Sequence, residues 1–209
     1  MSHDDVRSIR LNLGCGGRPL PGYVNIDLDS LEQMKHRYPT YDFDESIPIH
    51  QYDIFNLPYD NATISEVRAE SLLEHLAFEE ERKLFVEVQR VLHSSAIFQF
   101  SVPDFEFTVR QWLNAEDNWQ DFYRNDEDAI RANHWFGQYS TGAGSRWGYL
   151  TAIIFGPQNS PGQFHKNCYT EKKIEAMLGK LGFHAPIIEI SSWKGNDIAR
   201  VLNVTAEKK

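Results

Sequence analysis

Hydrophobic residues fall at two periods along this chain, and the switches between them mark out its elements. Ile9, Leu11 and Leu13 alternate with Arg10 and Asn12, which predicts a strand that stops at Gly14. A short apolar run over 24–26 leads into Asp27 and predicts a second strand. Residues 36–46 are acidic and aperiodic, a loop. Residues 47–52 predict a third strand, weakened by Pro48, which suits only a strand start or an edge. The turn-rich NLPYDNATI precedes a fourth strand over 64–69.

From residue 78 the period becomes helical. Leu84, Phe85, Val88, Val91 and Leu92 share one face of a helix over 78–93. Glu79, Glu80 and Glu81 sit in its first turn and Arg90 in its last, as the helix dipole favours. Phe98, Phe100 and Val102 restore period two over 96–102, up to Pro103 and Asp104. Val109, Trp112 and Leu113 suggest another helix, Asp126 caps one running through Phe136, and GQYSTGAGSRWGY reads as a loop or lid. Thr170 is an N-cap for a helix that gathers Ile174, Met177, Leu178 and Leu181 on one face and closes at Gly182. Strands over 187–191 and 199–205 complete the pattern.

Strands alternating with helices predict a mostly parallel sheet with helices on both faces. The two closing strands, with little between them, predict a hairpin on the sheet's edge. No repeat and no long linker interrupts the pattern, so residues 1–209 are expected to form a single domain, with an insertion at about 105–165.

Composition narrows the class. Hydrophobic residues at 41% and charged residues at 24% are those of an ordinary soluble globular protein. The net charge of −9, with no long basic run, argues against a nucleic-acid substrate, because phosphate contacts need a positive footprint. No window approaches the roughly 20 apolar residues of a membrane helix, and residues 1–10 lack the apolar segment of a signal peptide. Two cysteines, Cys15 and Cys168, do not make a disulfide framework, which suggests a reducing, cytoplasmic setting.

The glycines after the first strand carry the functional signal. In open α/β sheets, ligands sit beyond the carboxyl ends of the strands where strand order reverses. Gly14 and Gly16 allow close backbone approach there, and Asp27 can accept hydrogen bonds from two ribose hydroxyls. A dinucleotide would need G-x-G-x-x-G and a helix N-terminus facing its pyrophosphate. Here Pro19 stands where the third glycine belongs, and Asp27, Asp29 and Asp53 outnumber Arg18. S-adenosylmethionine carries a cationic sulfonium and no phosphate, so an acidic rim suits it better. A nicotinamide-dependent oxidoreductase remains the weaker alternative.

Four stretches carry a resemblance to a known family: LNLGCGGRPLPGYVNIDLD, YDIFNLPYDNATISEV, ESLLEHL and VLHSSAIFQFSVPDF. The sequence resembles the class I S-adenosylmethionine-dependent methyltransferases, specifically the small bacterial group related to methyltransferase type 11. The likeness is good over the first half, thinner over 105–160, and returns in FHKNCYTEKKIEAMLGKLGF. It implies a Rossmann-like fold whose seven-stranded sheet ends in an antiparallel C-terminal edge strand. It further implies that Gly14 and Gly16 line the methionine and ribose, that Asp27 binds the ribose hydroxyls, and that Leu13, Cys15 and Leu28 also border the cofactor. By the same resemblance Asp53 and Ile54 meet the adenine, and Ser71, Leu72 and Glu74 lie beneath the cofactor. Asn12 stands where the family commonly has an acidic residue, which predicts weaker support of the methionine end. HSSA at 93–96 replaces the usual K-P-G-G turn, and the short stretch from Gly14 to Asp27 leaves little room for a helix.

Methyl transfer needs alignment and a dry pocket, and a base where the nucleophile is protonated. His75 and His165 are the candidate catalytic residues, as base or acceptor-orienting groups; a structural role is the competing reading for each. His134 is expected to pack or lie on the surface. His165 and Cys168 have metal-like spacing, but two ligands do not make a zinc site, so no metal is assigned. Cys15 lacks a neighbouring base, and no G-x-S-x-G motif supports a hydrolase. Trp112, Trp119, Phe122, Tyr123, Trp135, Phe136, Tyr139 and Trp147 make 105–165 the candidate acceptor side, either an aromatic pocket or a satellite core. The expected activity is methyl transfer to oxygen on a small-molecule or glycan-related acceptor. The alternative is a protein that binds the cofactor without catalysis.

Overall fold

The computed structural model describes residues 8–37, 39–114, 153–156, 158, 161–193 and 196–209. Seven strands form one sheet: β1 (Ile9–Leu13), β2 (Val24–Ile26), β3 (Ile49–His50), β4 (Ile64–Glu70), β5 (Leu92–Pro103), β6 (Ile187–Trp193) and β7 (Asn196–Glu207). Their order is β3-β2-β1-β4-β5-β7-β6. The chain winds outward from β1 to β3, then returns to lay β4 and β5 on β1's other side. The reversal therefore opens a crevice beyond the carboxyl ends of β1 and β4.

Strands β1 to β5 run parallel, and β7 is antiparallel to both β5 and β6. The antiparallel strand thus lies one place in from the edge, and β6 is the edge strand. Burial explains the order. Leu202, Val204 and Ala206 of β7 are buried and need a neighbour on each side, whereas β6 leaves Ile187 and Ile190 exposed.

Helices α1 (Leu31–Arg37), α2 (Phe78–Val91), α3 (Phe105–Leu113) and α4 (Glu171–Lys180) pack around the sheet. The apolar face of α2 buries Leu84, Phe85, Val88 and Val91, and the Phe85 ring meets Phe98 and Phe100 of β5 edge-on at 5.6 and 6.1 Å. Asp104 caps α3 by accepting from the Phe107 N–H at 3.0 Å. Thr170 caps α4 through the Lys173 N–H, and Gly182 beyond its end takes φ +80°.

Three of the boundaries that differ from the periodic pattern have a local cause. Helix α1 reaches Arg37, into the stretch expected to be loop. A reciprocal cap nucleates it: Ser30 N–H donates to Gln33 Oε1 at 2.8 Å and Gln33 N–H to Ser30 Oγ at 3.3 Å, with Met34 buried beneath. The third strand shrinks to two residues at the sheet's edge, just past Pro48. Strand β5 begins at Leu92, directly behind α2, and Ser95 takes φ +63°, the left-handed backbone that a glycine supplies in the usual turn.

The helix expected from Asp126 to Phe136, the loop over 140–146, and Trp119, Phe122, Tyr123, His134, Trp135, Tyr139 and Trp147 lie outside the described residues. Among the described residues, no helix is long and apolar enough to cross a membrane.

Candidate functional site

The glycine loop is held by two asparagines. Asn12 of β1 and Asn25 of β2 are register partners, both buried. Asn12 Nδ2 donates to Asn25 Oδ1 at 2.9 Å and to Arg18 O at 3.3 Å. Asn25 Oδ1 also accepts from the Leu20 N–H at 2.7 Å, and its amide donates to Leu20 O at 3.0 Å. Asn12 is therefore an anchor of the loop, where the sequence pattern predicts only weakened support. These bonds fix 18–25 without a helix, which the short connection leaves no room for.

Gly14 and Gly16 both take the left-handed backbone, with φ +60° and +50°. A Cβ on Gly14 would stand 2.8 Å from Leu72 Cδ1, so the loop lies directly on the chain leaving β4. Gly14→Ala is expected to cost about 1–2 kcal/mol of stability, because strain and clash add. Tyr41, a residue the motif reading misses, has its ring where a Cβ on Gly17 would fall.

Asp27 closes the loop from β2. Its Oδ2 accepts from the Gly16 N–H at 2.9 Å and its Oδ1 from the Asp29 N–H at 3.1 Å. A carboxylate has about four acceptor positions, so two remain for a diol. Next to it Leu28 is 84% exposed, a large apolar side chain with no cover at the mouth of the crevice. Leu13 is wholly buried in the core and offers the loop only its backbone. Cys15 is buried too. Desolvation first, then the Asp27 charge, push its thiol up to about 12, so it stays protonated and is no nucleophile. Asp53 accepts from the Phe55 N–H at 2.9 Å, and Ile54 packs against the core's edge.

After β4 the chain turns sharply. Ser71 takes φ +50° and its N–H reaches Ser101 O at 3.0 Å. Leu73–His75 then form a 3₁₀ turn. Glu74 in this turn is 3% exposed, and its Oε2 is buried with no hydrogen-bond partner among the described residues. Burial pushes its carboxyl up to about 8.

The turn is sewn to residues some ninety positions away. Glu74 O accepts from the Lys166 N–H at 2.8 Å and the Asn167 N–H at 3.1 Å. His75 Nδ1 meets Phe164 O at 3.2 Å, and His165 Nδ1 meets Ile153 O at 2.7 Å. The two imidazoles stand edge to face, 4.9 Å apart. A carbonyl only accepts, so each Nδ1 carries a proton and each neutral ring keeps its lone pair on Nε2. Desolvation, and then His75, lower His165 to about 4; desolvation chiefly lowers His75 as well. The structure thus brings Glu74, His75 and His165 into one cluster. Cys168 is exposed and free, and shares with Glu74 and His165 the wall of a small cavity also lined by Pro103, Phe105 and Ile153.

No protein-family model matches the chain, and no curated protein matches it in sequence. Solved structures match in shape. A S-adenosylmethionine-dependent methyltransferase from Methanosarcina mazei is 14% identical, over 95% of this chain and 91% of its own, with a TM-score of 0.56. The 1,6-didemethyltoxoflavin-N1-methyltransferase of Burkholderia thailandensis was solved with 1,6-didemethyltoxoflavin and S-adenosylhomocysteine; it is 13% identical over 97% of this chain and 71% of its own, with a TM-score of 0.55. The chain has the class I methyltransferase fold. A magnesium protoporphyrin IX methyltransferase from Synechocystis, solved with S-adenosylhomocysteine, shares it at 12% identity, over 97% of this chain and 74% of its own, with a TM-score of 0.54. Gly14, Asp27 and Leu72 follow the carboxyl ends of β1, β2 and β4, at the side of the sheet where the strand order reverses.

Proposed function

We propose that this protein is a S-adenosylmethionine-dependent methyltransferase acting at oxygen on a small-molecule or glycan-related acceptor. The observation that carries the reading is the pairing of a left-handed glycine loop with Asp27, whose carboxylate keeps two acceptor positions open after binding Gly16 and Asp29. The crevice suits the ligand's chemistry. Asp27 supplies negative charge near a sulfonium, while Asp29 is paired with Arg37, and exposed Leu28 offers an apolar surface to a purine. The bound cofactor would supply an activated methyl group; the protein's own residues supply alignment.

Asp27 holds the ribose diol, and the backbone of 14–16 follows the methionine end. Ser71, Leu72 and Glu74 support the cofactor from the chain leaving β4. Asp53 and Ile54 border the adenine. His75 and His165 serve the acceptor side: with Nδ1 tied to a carbonyl, each ring presents Nε2 to orient an acceptor hydroxyl. Acceptor recognition belongs to the 105–165 segment, in a single domain spanning the chain. Its two free cysteines suit a reducing, cytoplasmic setting.

The test is calorimetry with S-adenosylmethionine, S-adenosylhomocysteine and NAD, followed by methyl turnover on hydroxylated metabolites and sugars. Micromolar binding of the first two and none of NAD is expected. Binding without turnover on any acceptor would favour a sensor. Leu28→Ser gives an internal control. An exposed position leaves stability within about 0.5 kcal/mol. Loss of the purine's apolar contact costs about 1 kcal/mol, so affinity should fall roughly fivefold while the unfolding temperature stays put.

A further inference from the structure

The sequence pattern assigns no metal, because His165 and Cys168 alone are too few. The fold supplies what spacing does not. One ligand atom from each of Glu74, His75 and His165 lies within 4.8 Å of the others. Ligands on one zinc ion sit about 3.3 Å apart, given bonds near 2 Å, so a small shift of the three side chains toward a common centre closes the cluster.

We propose that Glu74, His75 and His165 form a binding site for a divalent ion of the zinc class, at the acceptor side of the crevice. Three independent features support it. Both histidines donate Nδ1–H to backbone carbonyls, Phe164 and Ile153, which leaves Nε2 free and fixes each ring. Metal-ligating histidines are held in this way, with the second nitrogen bound to a carbonyl or carboxylate. Among the described residues Glu74 Oε2 has no hydrogen-bond partner, in a residue 97% removed from solvent, which is costly unless something meets it. The backbone bonds from Lys166 and Asn167 to Glu74 O hold the distant His165 segment against the turn, so the cluster is built by the main chain.

Two imidazoles and one carboxylate make a borderline donor set, suited to Zn²⁺, Co²⁺ or Fe²⁺ rather than Mg²⁺ or Ca²⁺, which prefer oxygen alone. Three protein ligands leave at least one coordination position open, as in catalytic sites. Leu72, two residues before Glu74, touches the glycine loop at Gly14, so the ion would stand beside the cofactor crevice. The role at the acceptor side rests on the methyltransferase reading; the ion site itself does not, and with the ion bound its open position would meet an acceptor hydroxyl in place of the two Nε2 atoms.

The test uses the full chain, stripped with a chelator and titrated with Zn²⁺ or Co²⁺. One equivalent of Co²⁺ is expected to give visible ligand-field absorption that Zn²⁺ displaces. Glu74→Gln and His165→Ala should each weaken Zn²⁺ affinity at least about a hundredfold, and Cys168→Ser should leave it unchanged. Far-ultraviolet circular dichroism checks that each variant folds. X-ray absorption on the zinc-loaded wild type gives a reading that needs no variant, with two imidazole nitrogens expected. The proposal fails if the folded wild type binds neither ion, if Glu74→Gln and His165→Ala bind as the wild type does, or if a sulfur shell appears. S-adenosylhomocysteine calorimetry on the stripped and loaded protein separates the two claims. Metal without the nucleoside sustains the ion site and defeats the cofactor reading, and the nucleoside without metal does the reverse.

Discussion

Asp27→Ala is expected to weaken S-adenosylhomocysteine binding by about 2–3 kcal/mol, roughly 30- to 150-fold, because hydrogen bonds to a charged group are worth about 1.5–3 kcal/mol and are lost with it. The same substitution strands the Gly16 and Asp29 N–H groups that the carboxylate now holds at 2.9 and 3.1 Å. Loop disruption and lost ribose contact therefore overlap, and one measurement does not part them. An analogue lacking both ribose hydroxyls does. It should bind the wild type more tightly than the natural ligand binds the variant, by the share that loop disruption costs, and the variant should not distinguish the two compounds. That non-additivity is the signature of direct contact. A variant that still prefers the hydroxylated ligand by the wild-type factor would place the ribose elsewhere. Asp27→Asn should fall between, since its amide oxygen keeps an acceptor for one N–H and gives up the charge.

Local physics made much of this legible. Period-two runs located β1 and β5, a turn-rich stretch pointed to β4 behind it, and the helical stripes of α2 and α4 came with end signals that the structure uses, Glu80 on the Ala77 N–H and Thr170 on Lys173. Helix α1 carried its signal too, the S-x-x-Q of Ser30 to Gln33, but an acidic neighbourhood masked it. Other features had no local signal. Asn12 reads as a missing acid until the register sets it opposite Asn25. Glu74 and His75 look like ordinary turn residues until the Lys166 and Asn167 N–H groups tie His165 beside them. Contacts across ninety residues are fixed by topology, and no periodicity within one window records them. The glycine loop and Asp27 are local, a loop and the end of its neighbouring strand, so their pairing was readable. The cluster of Glu74, His75 and His165 is assembled from distant segments, so it was not.

The largest stability effect is expected far from the crevice, at Glu87. This residue of α2 is 7% exposed. Its Oε1 accepts from the Leu57 N–H at 2.6 Å and from Arg90 Nη2 at 2.7 Å, and its Oε2 takes Arg90 Nε at 2.8 Å. Arg90 then reaches Leu57 O, Tyr59 O and Asn61 Oδ1, so one carboxylate organises the turn between β3 and β4. Glu87→Ala leaves a buried N–H and a guanidinium without their acceptor, at a cost of about 3 kcal/mol. In a domain of this size that lowers the unfolding temperature by roughly 6–12 °C. Glu87→Gln keeps the bond to Leu57 and forfeits the charge, so it should lose less than half as much. Acidity gives a second reading. The Arg90 bonds hold the Glu87 carboxyl below its ordinary value of 4.5 against the opposing effect of burial. The unfolded state therefore takes up the proton first as pH falls. The stabilisation is complete above the unfolded value and drains away as pH drops through the lowered folded one. The gap between wild type and Glu87→Gln should thus be constant near neutrality and shrink below about pH 4.5. A gap that stayed the same down to pH 3 would mean that charge contributes nothing here and that shape alone holds the turn.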